Sequence, residues 1–471
     1  MVFSSNIFLL FFLPAFLVTY FATPDRFRNH CLLLFSMLFY AYGAPTFIVI
    51  LLLTCVANFF IVKKMDSCSD LRQRKIWCAV SIVLSLSLLL YFKYANFIIE
   101  NANALCKLLN WNNIEWTDVA LPIGISFFTF QSISYTIDVF RTTARAAEKP
   151  LNYILYITMF PQLIAGPIVR YNSVAENILS RHSTMEERVS GFYRFAMGLA
   201  KKVLIANVLG TYADSVFNTD ASLLATSSAW IGMFAYTFQI YFDFSGYSDM
   251  AIGIGKMLGF KFPENFDSPY TSQSVSEFWR RWHITLGVFM KEYLYIPLGG
   301  NRCGKARTYL NLVIVFLLSG LWHGAAYNFI LWGAYHGLFL IADRIFMLKL
   351  LNRIGRIPAT LLTFIVVSFG WVLFRADNLT QAAQYFATLF SAGDGCAIAT
   401  SKEFMTIMCL ATLFSFITMT KCGKDLNRKI FELPYSAKTA TVMGLITIVL
   451  MSLSIGSLLV LDFNPFIYFR F

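Results

Sequence analysis

Five histidines are the residues of this sequence best suited to acid–base chemistry, and His323 stands out among them. It follows the apolar run from Leu312 to Leu321, where an ionisable side chain needs a polar partner and is a functional candidate. A neutral imidazole is the usual group for removing a proton from a hydroxyl nucleophile. The competing interpretation is a histidine that bonds a nearby backbone carbonyl. We predict that His323 is the catalytic base.

Two further histidines are weaker candidates. His283 ends an aromatic and basic stretch that begins at Phe278, and the alternative there is a helix that holds its arginines at the lipid headgroups. His336 follows His323 by 13 residues, so in one continuous helix the two side chains would point in different directions. We rank His283 second and His336 third.

Carboxylates and polar side chains in apolar surroundings form a second group of candidates. Asp243 and Asp249 flank Ser245 within a hydrophobic segment, and both carboxylates need counter-charges or water if they lie at membrane depth. Packing and helix kinks are the alternative explanation. The remaining candidates are neighbours of the histidines, namely Trp282, Trp322 and Asn328.

The last ten residues, 462–471, form an aromatic tail that contains Tyr468. A phenol can accept an acyl group and divide one transfer into two steps, which makes Tyr468 a candidate acyl relay. An aromatic anchor at the membrane interface explains the same residues.

Several familiar chemistries are not supported by the sequence. It contains no Gly-x-Ser-x-Gly elbow, no Walker A loop, no HExxH helix and no histidine followed by aspartate five positions later. The nine cysteines lack CxxC spacing, so we predict no metal site. Cys106 and Cys396 alone fall on predicted outer loops, where a disulfide is an open alternative to two free thiols.

The composition requires a membrane to accommodate the chain. Hydrophobic residues make up 57% and charged residues 14%, too little polar material for a soluble surface. Hydropathy predicts roughly eleven to twelve spanning helices in one integral domain, 1–471. The candidate spans are 5–22, 31–44, 46–62, 76–92, 119–140, 151–168, 226–245, 308–323, 326–345, 358–375, 403–420 and 439–461. Between 170 and 300, the mixture of charged and apolar residues around Lys201 and Lys202 and again up to His283 predicts interfacial or re-entrant helices.

The net charge of +12 is explained by basic loops between membrane spans rather than by a nucleic-acid-binding function. Lysine and arginine concentrate in alternate loops, which the positive-inside rule assigns to the cytoplasm. Both termini are then predicted to be extracytoplasmic. No internal repeat is visible, which argues against an inverted-repeat transporter.

Several long stretches, taken in order, closely resemble the membrane-bound O-acyltransferase family. They are Gly166-Pro167, Phe242 to Gly246, Phe278 to His283, Pro297 to Asn301 and Leu321 to Gly324. Within the family they look like the bacterial branch that O-acetylates polysaccharides, to which a teichoic-acid D-alanyltransferase subunit is related.

The resemblance implies an all-α polytopic membrane protein whose helices form a ring around a central funnel, with His323 at the constriction and His283 in the active site. It also implies acetyl-CoA as the donor, a location in the bacterial inner membrane, and a tail tyrosine, here Tyr468, as an acyl carrier. A serine-hydrolase-like (SGNH) acetyltransferase partner would then modify the polysaccharide outside. Two alternatives stay open: D-alanyl transfer from a carrier protein, and a transporter of polysaccharide or an acyl intermediate.

Overall fold

A computed structural model describes residues 1–164, 166–391, 395–431 and 433–460. Helices make up 79% of the structure, and the described residues contain no strand, which confirms the all-α prediction. Six helical segments are long and apolar enough to cross a membrane. They are Pro45–Ser67, Leu71–Leu108, Tyr327–Ile354, Arg356–Arg375, Lys402–Met419 and Ala437–Val460. Each coincides with a predicted span, so the polytopic character of the chain is confirmed.

The first of two compact units comprises Met1, Ile7–His182 and Gly259–Phe262. The predicted span 151–168 is wrong as a continuous helix, because the helix ends at Thr158, where Met159 takes non-helical angles ahead of Pro161. The helices of this unit are α1 (Leu13–Ala22), α2 (Arg28–Gly43), α3 (Ile48–Ser67), α4 (Leu71–Leu89), α5 (Ala95–Leu108), α6 (Ile125–Phe140), α7 (Pro150–Thr158), α8 (Phe160–Leu163) and α9 (Tyr171–Leu179).

A buried polar network joins three helices of this unit. The Ser81 hydroxyl on α4 donates to Asn58 Oδ1 on α3 and shares a hydrogen bond of 2.8 Å with the Thr136 hydroxyl on α6. Asn58 Nδ2 donates to Ser85 Oγ at 3.2 Å. Such bonds hold helices together where lipid provides no hydrophobic driving force between them.

The second unit comprises Val2–Asn6, Ser183–Leu258 and the chain from Pro263 onward. It contains all the candidate site residues that the structure describes. Its helices are α10 (Met185–Ala200), α11 (Asn207–Asn218), α12 (Thr226–Leu258), α13 (Val275–Arg281), α14 (Ile284–Met290), α15 (Lys305–His323), α16 (Tyr327–Ala342), α17 (Leu348–Ile354), α18 (Arg356–Arg375), α19 (Leu379–Phe390), α20 (Lys402–Phe416), α21 (Lys421–Phe431) and α22 (Ala437–Val460).

Two pairs of glycines bring α10 and α12 into direct backbone contact. Gly191 faces Gly253 and Gly198 faces Gly246, and a Cβ on any of the four would meet the partner's carbonyl oxygen at 2.5 to 2.6 Å. Small residues allow this close approach, which larger side chains would prevent. The crossing places the cations at the end of α10 beside the carboxylates of α12.

A sharp turn after His323 folds α16 back along α15. Gly324 is extended, and α16 begins at Tyr327. A side chain at Gly320 would overlap the Phe329 carbonyl, and one at Gly333 would overlap the Phe316 carbonyl. The two helices therefore pack antiparallel and close together, with His323 at the turn.

Candidate active site

His323 is the C-terminal residue of α15 and is buried, with 8% of its surface exposed. Three aromatic rings surround its imidazole. The ring centroids lie 4.9 Å away for Trp322, 5.2 Å for Trp332 and 5.2 Å for Phe374. The helix end and the aromatic contacts restrict both the backbone and the ring of His323.

His283 joins α13 to α14 in a left-handed backbone conformation, with φ of 45°. That conformation is uncommon for a residue with a side chain and often marks a functional site. The imidazole is buried against Phe244, at 4.7 Å between centroids, and lies 6.1 Å from Trp322. Since Trp322 also contacts His323, the structure brings the two predicted histidines to the same indole.

Asn265 determines which nitrogen of His283 carries the proton. Asn265 Oδ1 accepts from the Thr285 hydroxyl at 2.9 Å and from the Thr285 backbone N–H at 3.4 Å, while Asn265 Nδ2 donates to Ser248 Oγ. A backbone N–H can only donate, so the Asn265 atom that faces it is the amide oxygen and not the amide nitrogen. His283 Nδ1, at 3.0 Å from the same Oδ1, must then be the donor.

The charge state of His283 follows from its surroundings. Burial lowers the pKa of His283 to about 3, because the charged form loses hydration. A neutral ring that is protonated at Nδ1 carries its lone pair at Nε2. In this state Nε2 of His283 can accept a hydrogen bond but cannot donate one.

His336 lies on α16 and is fully buried. Its centroid is 5.0 Å from that of Trp279 and 5.1 Å from that of Trp332, which in turn contacts His323. Neither ring nitrogen of His336 has a hydrogen-bond partner among the described residues. The continuous helix that would have separated His323 from His336 does not exist, because the chain reverses between them.

A cavity of about 240 Å³ lies beside His283. Trp279 and Phe316 contribute to its apolar wall, and Arg280 and Lys291 contribute cationic side chains. The cavity therefore combines an apolar interior, two positive charges and the imidazole of His283.

Asp243 on α12 forms a buried ion pair with Lys202. Lys202 Nζ lies 2.6 Å from the carboxylate, and both side chains are 2% exposed. Lys202 also donates to Asn207 Oδ1 at 2.8 Å. Asp243 therefore has the counter-charge that a buried carboxylate needs, and the glycine crossing of α10 and α12 buries Lys202 with it.

Asp249 is neutralised by two cations. Lys201 Nζ lies 2.6 Å from its carboxylate and an Arg194 nitrogen lies 2.8 Å from it. Arg194 extends the network to Glu264. Asp249 therefore has the counter-charges that its buried position requires, and its carboxylate is occupied by contacts within the protein.

The remaining predicted residues have packing or anchoring contacts. Trp282 packs on Trp371, at 4.7 Å between centroids, and Ser245 is buried on α12. Asn328 Nδ2 donates to the carbonyl of Ala376 at 2.7 Å, which ties the turn after His323 to the end of α18. Tyr468 and the tail 462–471 lie outside the described residues. Cys106 and Cys396 are free thiols.

Sequence reasoning missed the residues that support the histidines from a distance along the chain. Asn265 lies 18 positions before His283, and nothing in its local sequence marks it as the partner of an imidazole. Trp332 was overlooked because an aromatic residue in an apolar span is ordinary. Among the described residues, no group of three or more His, Cys, Asp or Glu side chains could hold a metal ion.

Comparison with known proteins gives consistent results. A model of the membrane-bound O-acyltransferase family matches residues 101–354. The probable alginate O-acetylase AlgI of Pseudomonas putida is 39% identical, with 100% of both chains covered. The peptidoglycan O-acetyltransferase of Helicobacter pylori is 37% identical over 81% of this chain and 78% of its own. The teichoic acid D-alanyltransferase of Bacillus subtilis is 30% identical over 54% of this chain and 68% of its own.

Proposed function

This chain belongs to the membrane-bound O-acyltransferase family, and from that premise we propose that it transfers acetyl groups from a cytoplasmic thioester for O-acetylation of an extracytoplasmic polysaccharide. It is a multi-pass membrane protein and an O-acyltransferase. Relatives named for acetylation of alginate and peptidoglycan match it over more of its length than the D-alanyltransferase does. That difference favours acetyl over D-alanyl. The proposal treats residues 1–471 as one integral acyltransferase domain.

The observation that carries the proposal is that His323 and His283 both lie against the Trp322 indole. In the proposed reaction, His323 removes the proton of the attacking hydroxyl. The oxygen–acyl bond forms, the acyl–sulfur bond breaks, and the proton passes from His323 to the thiolate. Positioned general-base catalysis contributes about 10²- to 10⁴-fold to a rate.

His283 takes a positioning role in this proposal. Because Asn265 holds its proton at Nδ1, a neutral His283 offers Nε2 as an acceptor for an N–H or O–H group of a substrate. Stabilising an oxyanion would require a donor at Nε2, and therefore an imidazolium. We accordingly favour positioning over oxyanion stabilisation as the role of His283.

Replacing Asn265 with aspartate distinguishes the two roles of His283. A carboxylate at the same distance from Nδ1 raises the pKa of the imidazole and favours its protonated form. If neutral Nε2 accepts a hydrogen bond, transfer by Asn265→Asp should fall by about tenfold, because losing one hydrogen bond of about 1.4 kcal/mol lowers a rate tenfold. The rate should fall further as the pH is lowered, because more of the imidazole is then protonated at Nε2. A pH–rate profile of both proteins measures this. Faster transfer by Asn265→Asp would instead support the oxyanion role.

The cavity beside His283 supports a thioester donor of the coenzyme A type. Arg280 and Lys291 match the phosphate charges of such a donor, and the wall formed by Trp279 and Phe316 matches its uncharged arm. Acetyl-CoA is therefore the donor in this proposal, and no metal takes part.

The acyl group then has to reach the polysaccharide. We propose that Tyr468 in the C-terminal tail accepts it through its phenol oxygen, and that a serine-hydrolase-like (SGNH) acetyltransferase outside the membrane passes it to the polymer. The bacterial inner membrane, with both termini outside, is the location that this route requires.

Incubating the purified chain with acetyl-CoA tests donor and relay together. Free CoA should appear when a polysaccharide acceptor or partner is added, and the peptide that contains Tyr468 should gain the mass of one acetyl group. A Tyr468→Phe variant controls for acetylation elsewhere. An active preparation with an unmodified tail would remove Tyr468 from the route, and polymer export without release of CoA would favour a transporter.

A further inference from the structure

Helix α21 connects two membrane-spanning segments. The segment Lys402–Met419 ends directly before it, and Ala437–Val460 begins soon after it. A chain that leaves the membrane in one span and re-enters in the next stays on one side between them, so α21 lies at a single membrane face. Gly423 packs against the Ile417 carbonyl, and its N–H donates to Thr420 Oγ1 at 3.0 Å. The helix therefore begins immediately at the end of the preceding span.

The charges of α21 are concentrated on one face. At 100° per residue, its four cations fall within an arc of about 140°. They are Lys421, Lys424, Arg428 and Lys429, all exposed, and Asp425 is the one acidic residue within the helix. Leu426 and Ile430 lie on the other side of the helix, and Leu426 remains 48% exposed. The helix presents cations on one side and an incompletely covered apolar strip on the other.

We propose that α21 binds anionic phospholipid headgroups. The four cations would contact the phosphates, and Leu426 would enter the apolar edge of the bilayer. Basic amphipathic helices next to spans bind anionic lipid in this way, because electrostatic attraction and apolar burial act together. An acidic soluble protein would satisfy the cations but would not account for the exposed Leu426 on the other side of the helix.

The end of α21 contacts the charged network of α12. The Arg194 guanidinium lies 5.2 Å from the centroid of Phe431, and the same guanidinium pairs with Asp249. A ligand that holds α21 in its folded position stabilises the native state by mass action. We therefore expect anionic lipid to raise the thermal stability of the whole protein.

Photo-crosslinking measures the lipid preference at this helix. The full-length protein is placed in phosphatidylcholine bilayers with a trace of photoactivatable phosphatidylglycerol or phosphatidylcholine, then digested with a protease that does not cut at Lys or Arg. Labelling of the peptide over 421–431 should favour phosphatidylglycerol by at least about threefold, since each nearby cation adds up to about fivefold. The ratio should fall to near one in K421Q/K424Q/R428Q/K429Q, while the ratio in the basic segment 302–307 stays unchanged.

Three controls keep the test decisive. The charge-preserving variant K421R/K424R/R428K/K429R should retain the preference, and Asp425→Asn should increase it. In the wild-type protein the preference should decline as salt rises from about 0.1 M to about 1 M, because the Debye length shortens about threefold. Phosphatidylglycerol should also raise the melting temperature of the wild-type protein and not that of the glutamine variant. Equal labelling of 421–431 by the two lipids would overturn the proposal and leave an acidic protein as the partner of this face.

Discussion

Replacing His323 with alanine is expected to lower acyl transfer by about 10²- to 10⁴-fold, the usual contribution of a positioned general base. His323 lies at a helix end, contacts three aromatic rings and shares the Trp322 indole with His283, and no other described candidate combines these features. His323→Gln should lose as much, since an amide keeps hydrogen bonding but cannot accept the proton. Acceptor-dependent release of CoA from acetyl-CoA measures the rate.

Two comparisons separate loss of chemistry from loss of structure. His30→Ala changes an exposed histidine and should leave the rate unchanged. The melting temperature and the gel-filtration profile of His323→Ala should show that the protein still folds. A general base contributes far more than threefold to a rate. If His323→Ala transfers acyl groups within about threefold of the wild-type rate, His323 is excluded as the base.

Removing either member of the Lys202–Asp243 ion pair is expected to cost about 3 to 5 kcal/mol of folding stability. Both side chains are buried, so Lys202→Met or Asp243→Asn removes the counter-charge of a buried ion beside the glycine crossing of α10 and α12. The double variant Lys202→Met/Asp243→Leu removes both charges and should recover most of that loss. Thermal or denaturant unfolding in detergent measures the differences.

An exposed ion pair provides the matched control. Arg281 lies 3.3 Å from Asp267, with side-chain exposures of 31% and 65%, and Asp267→Asn should change stability by less than about 1 kcal/mol. Equal losses in the two experiments would contradict the argument from burial. If the double variant regains stability without acyl transfer, the Lys202–Asp243 pair contributes to the reaction as well as to the fold.

Composition, charge distribution and local patterns were enough to predict several features. Apolar runs indicated the spans because the bilayer imposes length and hydrophobicity on each helix separately. An isolated histidine in such a run made His323 a candidate, and carboxylates in apolar segments indicated a need for counter-charges or water, which Asp243 and Asp249 meet with cations. The broken segment at Met159 was missed because hydropathy is insensitive to a local change of backbone angles.

Which side chains meet could be known only once distant segments had packed. His323 was recognisable from its own neighbours, but its contacts with Phe374 and, through Trp322, with His283 depend on several helices at once. Lys202 reaches Asp243 because glycines allow the backbones of α10 and α12 to approach closely. Asn265 accepts the Nδ1 proton of His283 because the chain brings together two residues 18 positions apart. Hydropathy and residue type are properties of each short segment and can be determined from the sequence alone. Ion pairing, tautomer choice and ring contact depend on distances in space, which the folded chain alone provides.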